Sequence, residues 1–201
     1  MDNNPSQKMR AFMPIDLVVF LSFFSPIILA ACLLWLSFVN SNLKGFLYIG
    51  LLLFHCMIRN FIYMFYGTDE SFFNPMCSVV QYSYGNSSFS AFVFSFTIAY
   101  LILPMFLKGD VNYWVFSGLL TSFATDMAIK SYGGCIPNIS DILINTFIGM
   151  VCGILVVTTM NSTGNSKYLF FNELSSNKES CSVAKNQTFK CSVYKNGELI
   201  S

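Results

Sequence analysis

Charge is the scarcest feature of this 201-residue chain: Asp, Glu, Lys and Arg together make up 10%, against about 25% in soluble domains. A surface that poor in charge excludes an ordinary water-soluble domain. Histidine occurs once, at His55, and no Cys-x-x-Cys pair is present. A zinc or haem centre would therefore lack ligands, and no metal or other cofactor is expected. The 11 Lys and Arg are scattered and the net charge is +1, which leaves no basic face to neutralise phosphates and excludes nucleic acid as a partner. The 7 cysteines do not form a disulfide framework, because Cys32, Cys56 and Cys152 fall inside apolar runs as small buried hydrophobes.

What is abundant is apolar surface. Hydrophobic residues reach 54%, with 22 Phe and 10 Tyr, and the mean hydropathy is +0.57. Five apolar stretches, 15–39, 45–66, 88–107, 112–130 and 139–160, each approach the length a helix needs to cross the hydrocarbon layer. The expected fold is all-α: a polytopic integral membrane protein with five transmembrane helices over 15–160, after an N-terminal segment 1–14. Lys8 and Arg10 ahead of the first stretch, with Leu29-Ala30-Ala31-Cys32 inside it, also fit a cleaved lipoprotein signal. The run Leu33-Leu34-Trp35-Leu36 continues past that site, so the span is the reading adopted. Pro26 is expected to kink this first helix, since proline removes a backbone donor and crowds the preceding turn.

Residues 161–201 turn to Asn, Ser and Lys, a composition that cannot bury enough surface to offset its ordering entropy, and are expected to form a flexible polar tail. Within it Cys181-Ser182-Val183-Ala184-Lys185-Asn186 is echoed by Cys191-Ser192-Val193-Tyr194-Lys195-Asn196, with a turn signal at Asn196-Gly197. This is either a chance echo or a small strand pair, or a peptide that a protein partner binds by adding a strand. An odd number of spans puts the termini on opposite sides. The lysines do not decide the orientation: the tail favours a cytosolic C-terminus, whereas Lys8 and Arg10 pull the other way. Asn86, Asn138, Asn161 and Asn186 head N-x-Ser/Thr sequons that identify no compartment.

Ionisable groups inside spans are costly, and those that remain are functional candidates. His55 and Arg59, Asp126 and Lys130, and Asp141 and Asn145 are each four apart and share a helix face. Asp126 and Lys130 can neutralise each other within one helix. Arg59 has no acid at helical spacing, and Asp126 or Asp141 on another helix is its expected partner. The same set of charges could instead line a transport path.

The loop before the third span contains Asn74-Pro75-Met76-Cys77 and Tyr84-Gly85-Asn86-Ser87-Ser88-Phe89-Ser90-Ala91-Phe92. The loop before the fifth reads Lys130-Ser131-Tyr132-Gly133-Gly134-Cys135-Ile136-Pro137-Asn138-Ile139-Ser140-Asp141-Ile142-Leu143, followed by Gly149. Together they resemble motifs of the type 2 phosphatidic acid phosphatase superfamily, the lipid phosphate phosphatases and dolichyl diphosphatases. There, one loop of the form Pro-Ser-Gly/Ser-His-Ser-x-Phe and a second carrying Ser-Arg, a His and an Asp meet on one membrane face. The resemblance covers roughly residues 67–155.

It also implies that hydrolysis has been lost. The family uses one histidine as nucleophile and another as general acid; the matching positions here are Pro137 and Phe89. The cationic clamp for the phosphoryl oxygens aligns with Gly67 and Asn74 ahead of a retained Pro75, and its later Arg with Ser131, although Lys130 could serve after a one-residue shift. Ser87, Ser88 and Asp141 keep their places, which leaves Ser87, Ser88, Lys130, Ser131 and Asp141 as a vestigial phosphate pocket. His55 lies roughly 15 Å along its helix from that face. Cys135 is a remaining nucleophile, with no base at a useful spacing to activate it. The resemblance thus implies an inactive protein that binds a lipid phosphate or serves a structural role, with membrane lipids as partners. The alternatives are a scaffold subunit of a larger membrane or virion assembly, recognised through its tail, and a small transporter or channel using Arg59, Asp126 and Lys130.

Overall fold

A computed structural model describes residues 14–66, 77, 87–136, 138–170, 193–195 and 198–200. Residues 1–13 of the N-terminal segment, Gly67, Asn74, Pro75, Asn86, Pro137 and most of the tail lie outside the described residues. Among the described residues six α-helices form the bundle: α1 Pro14–Ser22, α2 Ser25–Val39, α3 Lys44–Tyr66, α4 Ser87–Lys108, α5 Tyr113–Tyr132 and α6 Ile139–Ser162. Three of them, α3, α4 and α6, are long and apolar enough to cross a membrane. α2 is apolar but has 15 residues, and α5 has 20 but carries Asp126 and Lys130.

The first apolar stretch departs from expectation. It is two helices separated at Phe23 and Phe24 rather than one kinked rod, with Pro26 in the first turn of α2. There its missing N–H costs nothing, since the opening turn of a helix has no acceptor for it.

α4 is the axis of the bundle. Of its 22 residues 17 are buried, although it is studded with Ser and Thr. Two of these hydroxyls are satisfied within the helix: Ser95 donates to the Phe92 carbonyl at 3.0 Å and Thr97 to the Val93 carbonyl at 2.7 Å. Because Thr97 has spent its only proton, the 2.7 Å contact between Tyr48 and Thr97 is donated by Tyr48, which ties α3 to α4. Between the hydroxyls, Phe92, Phe96 and Tyr100 stack along the helix and meet Tyr48 from α3.

α6 packs closest to α4, and two glycines make that approach. A Cβ at Gly149 would collide with the Ser95 hydroxyl and the Phe92 carbonyl, and one at Gly153 would come within 2.8 Å of both the Ala99 Cβ and the Phe96 carbonyl. Lipid is as apolar as the helix faces, so burial alone cannot hold helices together in a membrane. Small residues at this spacing supply van der Waals contact instead. The outward sides carry exposed Phe54, Met57, Phe61, Leu143, Phe147 and Leu155, an apolar exterior that fits a lipid surround.

Among the described residues the tail contributes a short 3-10 helix, Ser166–Tyr168, and a strand pair. β1 Val193–Lys195 pairs antiparallel with β2 Glu198–Ile200, with Lys195 opposite Glu198. Val193, Tyr194 and Lys195 of the second copy of the tail repeat therefore lie in a strand pair.

Gly149→Leu should lower stability by about 1–3 kcal/mol through overpacking, read as a fall in thermal unfolding temperature in detergent micelles. Gly118→Ala, where nothing lies within 4 Å of the new Cβ, should change it by less than about 1 kcal/mol.

Candidate functional site

Arg59, Asn145, Asp126 and Lys130 gather at one end of the bundle, where α3 and α5 finish and α2, α4 and α6 begin. They form two clusters on different faces of α4. In the first, Lys130 and Asp126 on α5 form an ion pair of 2.7 Å between Nζ and Oδ2, with Lys130 0% and Asp126 3% exposed. Acid before base at this helical spacing is the favourable order. Ser90 of α4 donates to Asp126 Oδ2 and Ser25 of α2 to its Oδ1, each at 2.5 Å. The carboxylate thus accepts from three helices. The Lys130 ammonium also lies 5.3 Å from the Phe23 ring centroid.

The second cluster joins α3 to α6. Arg59 is buried, and its Nε donates to Asn145 Oδ1 at 2.8 Å. Asn145 in turn donates through Nδ2 to Tyr63 Oη and, at 2.7 Å, to the Asp141 backbone carbonyl. The guanidinium lies 4.5 Å from the Tyr63 ring centroid, 5.5 Å from Phe89 and 5.9 Å from Phe92. This is a cation–π enclosure, and such contacts strengthen when desolvated. Asp126, one of the two carboxylates expected for Arg59, is engaged by Lys130 and the two serines. Asp141 sits half-buried in the first turn of α6. His55 is half-buried on α3; its Nδ1 lies 2.8 Å from the Leu51 carbonyl, which can only accept, so Nδ1 carries the proton.

A disulfide seals this end of the bundle and corrects the reading of the cysteines. Cys77 and Cys135 are bonded, with Cα atoms 5.5 Å apart, so Cys135 is no free nucleophile. Cys32, Cys56 and Cys152 carry free thiols, but where all three were expected to be buried only Cys56 is; Cys152 is half-buried and Cys32 exposed. Local chain geometry delivers Cys135 to its partner. After α5, Gly134 adopts φ +68° and the Cys135 N–H bonds back to the Lys130 carbonyl at 2.9 Å, a helix-ending turn that favours glycine. The Cys135 carbonyl then accepts from Ser87 Oγ at 2.9 Å, and Val19, Phe23 and Ile129 pack around the two sulfurs. Closing a loop of 58 residues contributes about 4 kcal/mol on the chain-entropy account.

The five pocket residues are thus distributed as follows. Ser87 is engaged by the Cys135 carbonyl, Ser88 is buried, Lys130 faces Asp126, Ser131 is exposed, and Asp141 lies beside Asn145. Lys130 and Asp141 belong to different clusters. Sequence reasoning did not single out Ser25 and Ser90 as partners of Asp126, nor Tyr63 as a partner of Asn145. Their only signal was a hydroxyl within an apolar helix. Comparison with protein-family models, characterised proteins and solved structures finds no match to this chain.

Removing one member of the buried pair, as in Lys130→Met, should cost about 3–5 kcal/mol, because the Asp126 charge is left behind. Asp126→Leu combined with Lys130→Met should cost much less than the sum of the two single variants. Unfolding of all three variants in micelles gives the coupling energy, and additive losses would mean that the pair carries none.

Proposed function

We propose that this chain is a multi-pass membrane protein of five membrane-crossing segments, the broken α1–α2 unit and α3 to α6, and that it serves a structural rather than a hydrolytic role. The observation that carries this reading is the commitment of its polar groups. Lys130, Asp126, Ser25, Ser90 and Asn145 bond to one another or to neighbouring helices, which ties the bundle together instead of presenting donors to a substrate. The family likeness at 67–155 supports descent from a lipid phosphate phosphatase architecture. Phe89, at the general-acid position, packs over Arg59 and cannot transfer a proton.

A second reading, retention of a lipid phosphate, draws on Arg59. It is an arginine near the mouth of the bundle, held by an amide and aromatic rings, and guanidinium groups suit phosphate recognition. The transport reading fares less well, because Arg59 and the Asp126–Lys130 pair occupy different faces of α4 rather than one path.

The purified chain in nanodiscs containing phosphatidate should release no phosphate above the lipid-only background, and Asp141→Asn should behave identically. Turnover that Asp141→Asn abolishes would overturn the structural reading. Phosphatidate that stays bound in native mass spectrometry, and is lost in Arg59→Gln, would favour the second reading over the first.

A further inference from the structure

Two independent observations bear on which side of the membrane each end of the bundle faces. The first is the Cys77–Cys135 disulfide. Disulfides form and persist in oxidising compartments and are rare where cytosolic thiols keep cysteines reduced. The second is the placement of lysine. At the disulfide end, the connections 67–86 and 133–138 contain no Lys or Arg, and Lys130 beside them is buried in its ion pair. At the opposite end each turn of the chain carries one: Lys44 opens α3, Lys108 closes α4, and Lys167 follows α6. Lys178, Lys185, Lys190 and Lys195 continue in the tail. Short connections rich in Lys and Arg stay on the cytosolic side of a membrane.

From this pair of observations we infer that the disulfide-sealed end opens into an oxidising, non-cytosolic compartment, and that Lys44, Lys108, Lys167 and the C-terminal tail face the cytosol. The lysines of the described bundle and the disulfide agree, where the sequence alone left the orientation open. Lys8 and Arg10, which pulled the other way, precede α1 and lie outside the described residues. The assignment gives the tail a defined chemistry. Cys181 and Cys191 lie in the reducing compartment and persist as thiols, whereas Cys77 and Cys135 are oxidised. Asn161 and Asn186 are placed away from any compartment that attaches N-linked glycans.

The inference rests on the membrane-crossing arrangement proposed above but not on a structural or lipid-binding role. Its test uses the full chain with an epitope tag after Ser201, inserted into sealed endoplasmic reticulum vesicles whose cytosolic face is outward. Proteinase K added outside should remove the tag without detergent. Extraction under thiol-blocking conditions should recover Cys77 and Cys135 as one disulfide-linked peptide pair. A tag that survives until detergent is added, or Cys77 and Cys135 recovered as blocked thiols, would overturn the orientation. Carbonate washing distinguishes the two levels. A chain released by carbonate refutes the membrane-crossing arrangement itself, whereas a retained chain with a protected tag refutes the orientation alone.

Discussion

Asp126 sits where a carboxylate has no water to solvate it, and the arrangement of one end of this bundle follows from that. A bare charge in an apolar medium costs several kcal/mol, so the fold must bring it a counter-charge and donors. Lys130 supplies the charge from the next turn of the same helix, while Ser90 and Ser25 supply hydrogen bonds from α4 and α2. Satisfying one residue therefore fixes where three helices meet. Because α2 begins there, the break at Phe23 and Phe24 falls next to the cluster, and Phe23 covers the Lys130 ammonium. α1 then packs against the end of α5, where Val19 borders Gly133 and the disulfide.

The other side of α4 is held by different means. Gly149 and Gly153 let α6 press against the Phe92 and Phe96 carbonyls and the small side chains of Ser95 and Ala99, and the Arg59–Asn145 bond joins α3 to α6 across the same end. The result is a largely enclosed helix in which the hydroxyls of Ser87, Ser90, Ser95 and Thr97 are met by the Cys135 carbonyl, the Asp126 carboxylate and the helix's own carbonyls. That explains how a segment reading Ser-Phe-Ser-Ala-Phe-Val-Phe-Ser-Phe-Thr can be both hydroxyl-rich and the most buried among the described helices.

Much of this was legible in the sequence where the physics is local. The helical stretches follow from length and apolarity, and the pairing of Asp126 with Lys130 follows from their spacing of one turn. The tail strand pair was one of three readings that the repeat and the Asn196-Gly197 signal left open. What could not be read are contacts between distant segments. Nothing in the spacing of Cys77 and Cys135, 58 residues apart, distinguishes a disulfide pair from two small hydrophobes. Nor does it reveal that Ser25 and Ser90 converge on one carboxylate. Gly149 and Gly153 did carry a signal, a four-residue spacing of small residues matched by Ser95 and Ala99, but its meaning depends on which helices face each other. Pro26 marked a break correctly in kind but not in place, because proline suits the start of a helix as well as a kink within one.

The central claim, that Asp126 draws α2 and α4 together at the end of α5, is tested most directly by cross-linking. Ser25 and Ser90 have their hydroxyl oxygens 3.5 Å apart, within reach of a disulfide once both are replaced. The double variant Ser25→Cys/Ser90→Cys, oxidised in membranes and digested, should yield a linked peptide pair joining positions 25 and 90 that reduction separates. Recovery of both new thiols unlinked, with the Cys77–Cys135 bond intact in the same sample, would contradict it.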